Sequence, residues 1–217
     1  MEMVIADPDR DIMDHSGDLD NGLAHAIERN NSFVAAMSYA IKQFAAYVAG
    51  EYKQGVEWSH AHDRWNKSTG GSVHATFALL WQGLNTFALA RSGSCTGCDK
   101  KEVISLGRRA TKELKKLSKT VPDYCLAKSL LLEAEYAAVI GKYTVAEEKY
   151  LHAVALAETQ KNLFEIPIVK LATARYYIYD KKNISQGKTI MEDAIKCFEN
   201  WGASAMANSL RTQIKSL

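Results

Sequence analysis

Proline is nearly missing from this chain, with three residues in 217, and 13 glycines are few for its length. A β-sandwich or barrel needs a turn every roughly ten residues, so a loop-rich β architecture is disfavoured. Charge of one sign is missing too. The 27 lysines and arginines stand against 25 acidic residues, and a net +2 gives no global basic field that calls for nucleic acid. Four cysteines (Cys95, Cys98, Cys125, Cys197) are too few for a disulfide framework, so a reduced, cytoplasmic setting is expected. Long apolar runs are lacking as well. The stretch from Ser32 to Gly50 is broken by Lys42 and Gln43, so no membrane span is expected. The N-terminal MEMVIADPDRD is acidic and has neither the basic nor the apolar region of a secretory signal. What is present, 47% apolar and 24% charged residues, is the composition of a soluble globular chain.

The first residues differ from the rest. Residues 1–20 carry Glu2, Asp7, Asp9, Asp11, Asp14, Asp18 and Asp20 against Arg10 alone. Residues 1–30 therefore read as an acidic, partly disordered lead-in, and residues 31–217 as one helical domain. From Asn31 onward apolar residues recur with a period of 3.6. The pattern predicts helices near 32–49, 51–67, 72–91, 100–119, 124–140, 143–160, 164–180, 184–200 and 203–215. Gly50, Gly141 and Gly202 each close an apolar run, where the position after a helix favours a left-handed conformation. Pro122 falls between two helices, and Pro167 sits where a first turn tolerates a missing N–H. Only Ser92–Asp99 (SGSCTGCD) reads as a genuine loop.

Laid on itself, the chain repeats. Gly141, Tyr143 and Ala146 match Gly50, Tyr52 and Gly55. Ala146, Tyr150, Ala153, Val154 and Ala157 match Gly187, Met191, Ala194, Ile195 and Phe198. Small residues at such positions let paired helices approach, and the large ones fill the groove against the next pair. The expected fold is all-α, an α-solenoid of stacked antiparallel helical hairpins with eight or nine helices. The helix after Trp201-Gly202 would cap it through Ala203, Met206, Ala207, Leu210 and Ile214.

The stretch Leu130-Leu131-Leu132-Glu133-Ala134-Glu135 with Gly141, Tyr143, Ala146, Tyr150, Ala153 and Ala157 resembles a tetratricopeptide-type repeat. The closing Phe198-Glu199-Asn200-Trp201-Gly202-Ala203-Ser204-Ala205, followed by Leu210, is similar to a more specific pattern. In that family, tetratricopeptide-like repeats follow an AAA-type predicted ATPase in large signalling proteins: hybrid histidine kinases, serine/threonine kinases and class III nucleotide cyclases. The likeness extends over about residues 20–213, and departs from the family at Met206 and in the Ser92–Asp99 loop. It implies a connecting module without the catalytic ones, since the sequence carries no Gly-x-x-x-x-Gly-Lys-Ser/Thr phosphate-binding loop, kinase signature or cyclase metal-binding strand.

Few residues offer chemistry of their own. Cys95-Thr96-Gly97-Cys98 has the spacing for zinc or thiol exchange, yet no second ligand pair and no βαβ setting accompanies it. His60 and His62, two apart on a helix, point away from each other, and His62 falls in a hairpin-seam slot. Asp7, Asp9 and Asp11 suggest a calcium loop, but Ile12 stands where Gly is needed. Trp58 and Trp65 are expected to be partly exposed, and the other aromatics to pack the hairpins.

The strongest charge feature is KKEVISLGRRATKELKKLSK at 100–119. Arg108, Lys112, Lys115 and Lys119 recur at four and three, opposite Val103, Leu106, Ala110, Leu114 and Leu117. They form a candidate docking stripe for an acidic protein, with the acidic 1–20 arm as an internal competitor. No aromatics interleave the basic residues, so nucleic acid is not expected. Arg108-Arg109-Ala110-Thr111 also resembles a basophilic kinase site. The reading is a non-enzymatic scaffold or regulatory module that binds protein partners, with no cofactor, metal or membrane contact. The alternatives are a metal- or redox-active protein built on Cys95 and Cys98, and a self-associating module.

Overall fold

The computed structural model describes residues 12–66, 73–95 and 97–217. They form α1 (Ile12–Glu28), α2 (Ser32–Ala49), α3 (Tyr52–Trp65), α4 (Val73–Arg91), α5 (Gly97–Leu117), α6 (Pro122–Val139), α7 (Tyr143–Thr159), α8 (Glu165–Arg175), α9 (Ile184–Asn200) and α10 (Ser204–Lys215). No strand occurs among the described residues. The nine helices expected from Asn31 onward are all there. The tenth, α1, lies within the acidic lead-in, where Asp18 and Asp20 mask an apolar line through Leu19, Leu23 and Ala26.

The punctuation acts as the sequence implies. Gly50 and Gly141 adopt φ of 86° and 75°, a left-handed conformation that a Cβ would strain. At each the two following N–H groups turn back onto the helix end: Gly50 to Tyr47 and Glu51 to Ala46, Gly141 to Ala138 and Lys142 to Ala137. The same pairing recurs at Gly202, where Ala203 N–H donates to the Phe198 carbonyl at 2.8 Å. These bonds use carbonyls that a helix end leaves open. Asn31 and Asn183 cap α2 and α9 by accepting from Val34 and Gln186 N–H at 3.2 Å.

Helices joined by short turns pack most extensively on each other, giving the pairs α2–α3, α4–α5, α6–α7 and α8–α9. Contacts also run between pairs, with α2 meeting α4 and α4 meeting α6. The expected seam residues lie at zero or near-zero exposure: Ala146, Tyr150, Ala153 and Ala157 in α7, Met191, Ala194 and Phe198 in α9. Close approach at Gly83 is extreme, since a Cβ there would sit 2.5 Å from Leu132 Cδ1 of α6.

Two features of the interior have no counterpart in the sequence reading. The first is an aromatic cluster centred on Phe164, in the turn before α8. Phe77 and Trp201 pack edge-on to it at 4.9 and 4.8 Å, Trp81 lies at 5.9 Å and Phe44 at 5.8 Å. Such pairs each contribute about 0.5–1.5 kcal/mol beyond their buried area. This cluster draws α2, α4 and the segment after α9 together, and α10 accordingly packs on both α9 and α2. Ala207 and Leu210 of α10 are fully buried, with Ala203, Met206 and Ile214 packed around them.

The second feature is buried charge. Arg91 of α4 pairs with Glu135 of α6 and, at 3.0 Å, with Asp180, while Tyr150 of α7 donates to Glu135 at 2.7 Å. Lys128 of α6 pairs with Glu165 of α8 and lies 3.9 Å over the Tyr124 ring. Arg175 of α8 donates to the Tyr47 and Val48 carbonyls at 2.8 and 2.9 Å, at the electronegative end of α2. Asp180 reaches Arg91 at the end of a π-helical turn, Tyr176–Asp180, that extends α8 by a wider coil.

Candidate functional site

Helix α5 is amphipathic in the sense expected. Leu106, Ala110 and Leu114 are buried against neighbouring helices, which turns the opposite side to solvent. Arg108, Lys112 and Lys115 are exposed on that side, together with Arg109 and Lys116. Lys119 is exposed too, but α5 ends at Leu117 rather than at residue 119. Lys119 sits in the following turn, where the N–H groups of Ser118 to Val121 bond back to carbonyls of the last helical turn. The stripe is therefore three helical residues and one turn residue.

The stripe is fixed along one edge and open along the other. The Arg108 guanidinium lies 5.5 Å over the Tyr136 ring of α6. Lys115 pairs at 3.0 Å with Glu133 of α6, and Lys149 of α7 pairs with the other oxygen of the same carboxylate. Burial alone would raise the Glu133 carboxyl, but the two ammonium groups outweigh it and hold it below the usual glutamate range. Glu133 thus ties α5, α6 and α7 at one point. Among the described residues no carboxylate lies within ion-pair distance of Lys112, Lys116 or Lys119. The sequence singled out neither Tyr136, Glu133 nor Lys149. For Tyr136 and Glu133 the signal is only that α6 carries polar residues at the edge of an otherwise apolar run.

A cleft of about 390 Å³ borders this face between α3 and α5, lined by Val56, His60, Asp63, Asp99, Glu102 and Arg109. Arg109 reaches Asp63 across it at 3.9 Å. A second cavity of about 230 Å³ lies among α2, α3 and α4, beside Gln43, Ser59, His62 and Gln82. Gln82 donates to Ser59 there at 2.6 Å. His62 is buried in the seam slot its spacing indicated, and Trp58 and Trp65 are partly exposed.

The other sequence candidates are not brought together. Cys95 is half-buried with its thiol 3.6 Å from the Leu89 carbonyl, and the Cys98 side chain lies outside the described residues. Among the described residues no group of three or more His, Cys, Asp or Glu could hold a metal ion. Asp7, Asp9 and Asp11 lie outside the described residues, as does the rest of the acidic arm up to residue 11. Within α1, Asp20 pairs with Lys42 of α2, not with α5. Thr111, the acceptor of the kinase-like string, is buried and its hydroxyl donates to the Gly107 carbonyl at 2.9 Å. Among the described residues no helix is long and apolar enough to cross a membrane. No family model matches the chain, and no curated protein or solved structure matches it.

Proposed function

We propose that this chain is a non-enzymatic helical-repeat module of the stacked-hairpin, tetratricopeptide-like kind, which binds an acidic protein on the basic face of α5. The observation that carries the reading is the exposed cationic row of Arg108, Lys112, Lys115 and Lys119, held rigid from behind and open in front. The inner helix faces support it by elimination. They are filled by the Phe164 aromatic cluster and the buried ion pairs, so the described surface offers its charge on the outside. Packing of each helix pair on the next, with α10 following on α9, supports the repeat reading. A preformed face spares a partner the cost of ordering it. The setting expected from the sequence resemblance is a cytoplasmic signalling assembly in which such a module links catalytic units.

The test is a charge-reversal comparison on the full chain. Attraction at such a face falls with salt over a screening length of about 8 Å at physiological ionic strength. Reversing Arg108, Lys112 and Lys119 to Glu leaves the Lys115–Glu133 pair in place and the apolar face untouched. Partners retained by the wild type at low salt should be released by added salt and absent from the variant, with an unchanged far-ultraviolet spectrum. Recovery of the same partners by the variant refutes the docking role.

A further inference from the structure

Helix α2 carries an apolar line that no described residue covers. Val34 and Ile41 are 40% and 47% exposed, with half-buried Met37 and Ala45 in the same line. Their spacing places them along one face of the helix.

The fold itself shows what such a face accepts. When Gln43 of α2 is set in register with Gly83 of α4, Met37, Ile41 and Ala45 fall on Phe77, Trp81 and Asn85. On α4 the Trp81 and Asn85 part of that line looks back at the preceding helix pair, while Phe77 packs on Tyr124 of α6 and on Phe164. Trp81 packs on Phe44 of α2 with ring centres 4.7 Å apart, and Asn85 donates to the Gln43 carbonyl at 2.9 Å. The same register sets Lys42 of α2 against Gln82 of α4. Gln82 bonds Ser59 of α3, the helix before α4, and Lys42 pairs with Asp20 of α1, the helix before α2. So α1 holds towards α2 the place that α3 holds towards α4. The counterpart of α2 itself is then a helix-shaped position that no described residue fills.

Charge narrows the occupant. Lys42 is the one charged residue of α2, and it is engaged by Asp20 while lying 4.9 Å over the Trp58 ring. A neutral face meets its own image across a two-fold axis without like-charge repulsion, whereas it gives an acidic or basic helix nothing to select on. We infer that the chain pairs with a second copy of itself through the Val34, Met37, Ile41 and Ala45 face of α2. Each α2 then fills the vacant helix position of the other.

Sedimentation equilibrium of the full chain from about 1 to 100 µM spans the range where a modest helix-to-helix dimer dissociates. The expected result is a reversible monomer–dimer equilibrium. Ile41→Glu, and separately Ala45→Glu, should weaken it by on the order of 100-fold, because each buries an unpaired carboxylate in the contact. Both positions lie outside the chain's own core, so the far-ultraviolet spectrum and melting point should hold. Glu192→Lys, an exposed charge reversal on α9, should leave the equilibrium as it is. A wild type that stays monomeric overturns the inference and leaves the face to a helix of another protein. A dimer that survives both α2 substitutions lies on a different surface and overturns it equally.

Discussion

Replacing Arg91 by Met tests whether the interior charge network is integral to stability. The Arg91 side chain is 15% exposed and Glu135 is fully buried, so the substitution strands that carboxylate in a low-dielectric site and also takes the partner from Asp180, whose side chain is 11% exposed. Removing one partner of a buried ion pair costs about 3–5 kcal/mol. Glu135 keeps the Tyr150 hydroxyl at 2.7 Å, which places the loss near the lower end, about 3 kcal/mol. For a chain of this size each kcal/mol moves the melting point by about 2–4 °C, so a fall of about 6–12 °C is expected at pH 8. The pH dependence follows from the carboxyl itself. Burial raises Glu135 above the ordinary glutamate range, and the Arg91 and Tyr150 contacts oppose that rise. Without Arg91 it rises further. The folded variant then binds a proton that the unfolded chain releases, so its stability recovers as pH falls from the folded value towards the ordinary one. The deficit against wild type should therefore be smaller at pH 5 than at pH 8. Thermal melts followed by circular dichroism at the two pH values read this directly. A deficit below about 1 kcal/mol at pH 8 is at odds with the buried-pair argument. An equal deficit at both pH values would show that lost packing, not stranded charge, is responsible.

Two further substitutions probe the packing. Gly83→Val places a branched side chain where a Cβ alone would meet Leu132 at 2.5 Å. Because Leu132 is itself fully buried, overpacking should cost about 1–3 kcal/mol in chemical denaturation, and a neutral result would show that α4 and α6 separate freely. Ending the chain after Trp201 removes buried Ala207 and Leu210 along with the Gln213 contact to the Val48 carbonyl, and it uncovers faces of both α9 and α2. Light scattering should then show aggregation or melting should fall steeply, and unchanged behaviour would deny α10 a covering role.

The helices after Asn31 were legible because their apolar residues repeat at the helical period and glycine ends the runs at Gly50, Gly141 and Gly202. Helix α1 was not, since acidic residues interleave its apolar line and composition suggested a loose arm. The π-helical turn at Tyr176–Asp180 leaves no trace in the sequence, because one extra residue per turn changes neither composition nor period over five residues. The buried charges were hidden by a general expectation: lysine, arginine and glutamate are rarely buried unless paired. Lys128 in CLAKSLLL and Glu135 in LLLEAEYAA sit inside apolar runs, which was the available signal. Finding their partners required the fold, since Glu165 is distant in sequence from Lys128 and Arg91 from Glu135. On the basic face the residues could be named from spacing, but Glu133, which binds Lys115 of that face together with Lys149 of α7, could not.

Arg175 touches the end of α2 and also Gln213 of α10, and Gln213 in turn donates to Val48. An array of helical pairs joined only to their neighbours can fray from either extremity, as a row of bricks loses its last member first. Here the second helix and the last hold a common clasp, so neither extremity can loosen without releasing the other. The chain is therefore expected to melt as a closed loop rather than as a row. Its cooperativity is set by contacts between residues more than a hundred positions apart in sequence. Such contacts form late in folding, because the intervening chain must be ordered before they can be made. Helices in the middle of the sequence can thus assemble early, with closure of the two extremities completing the structure.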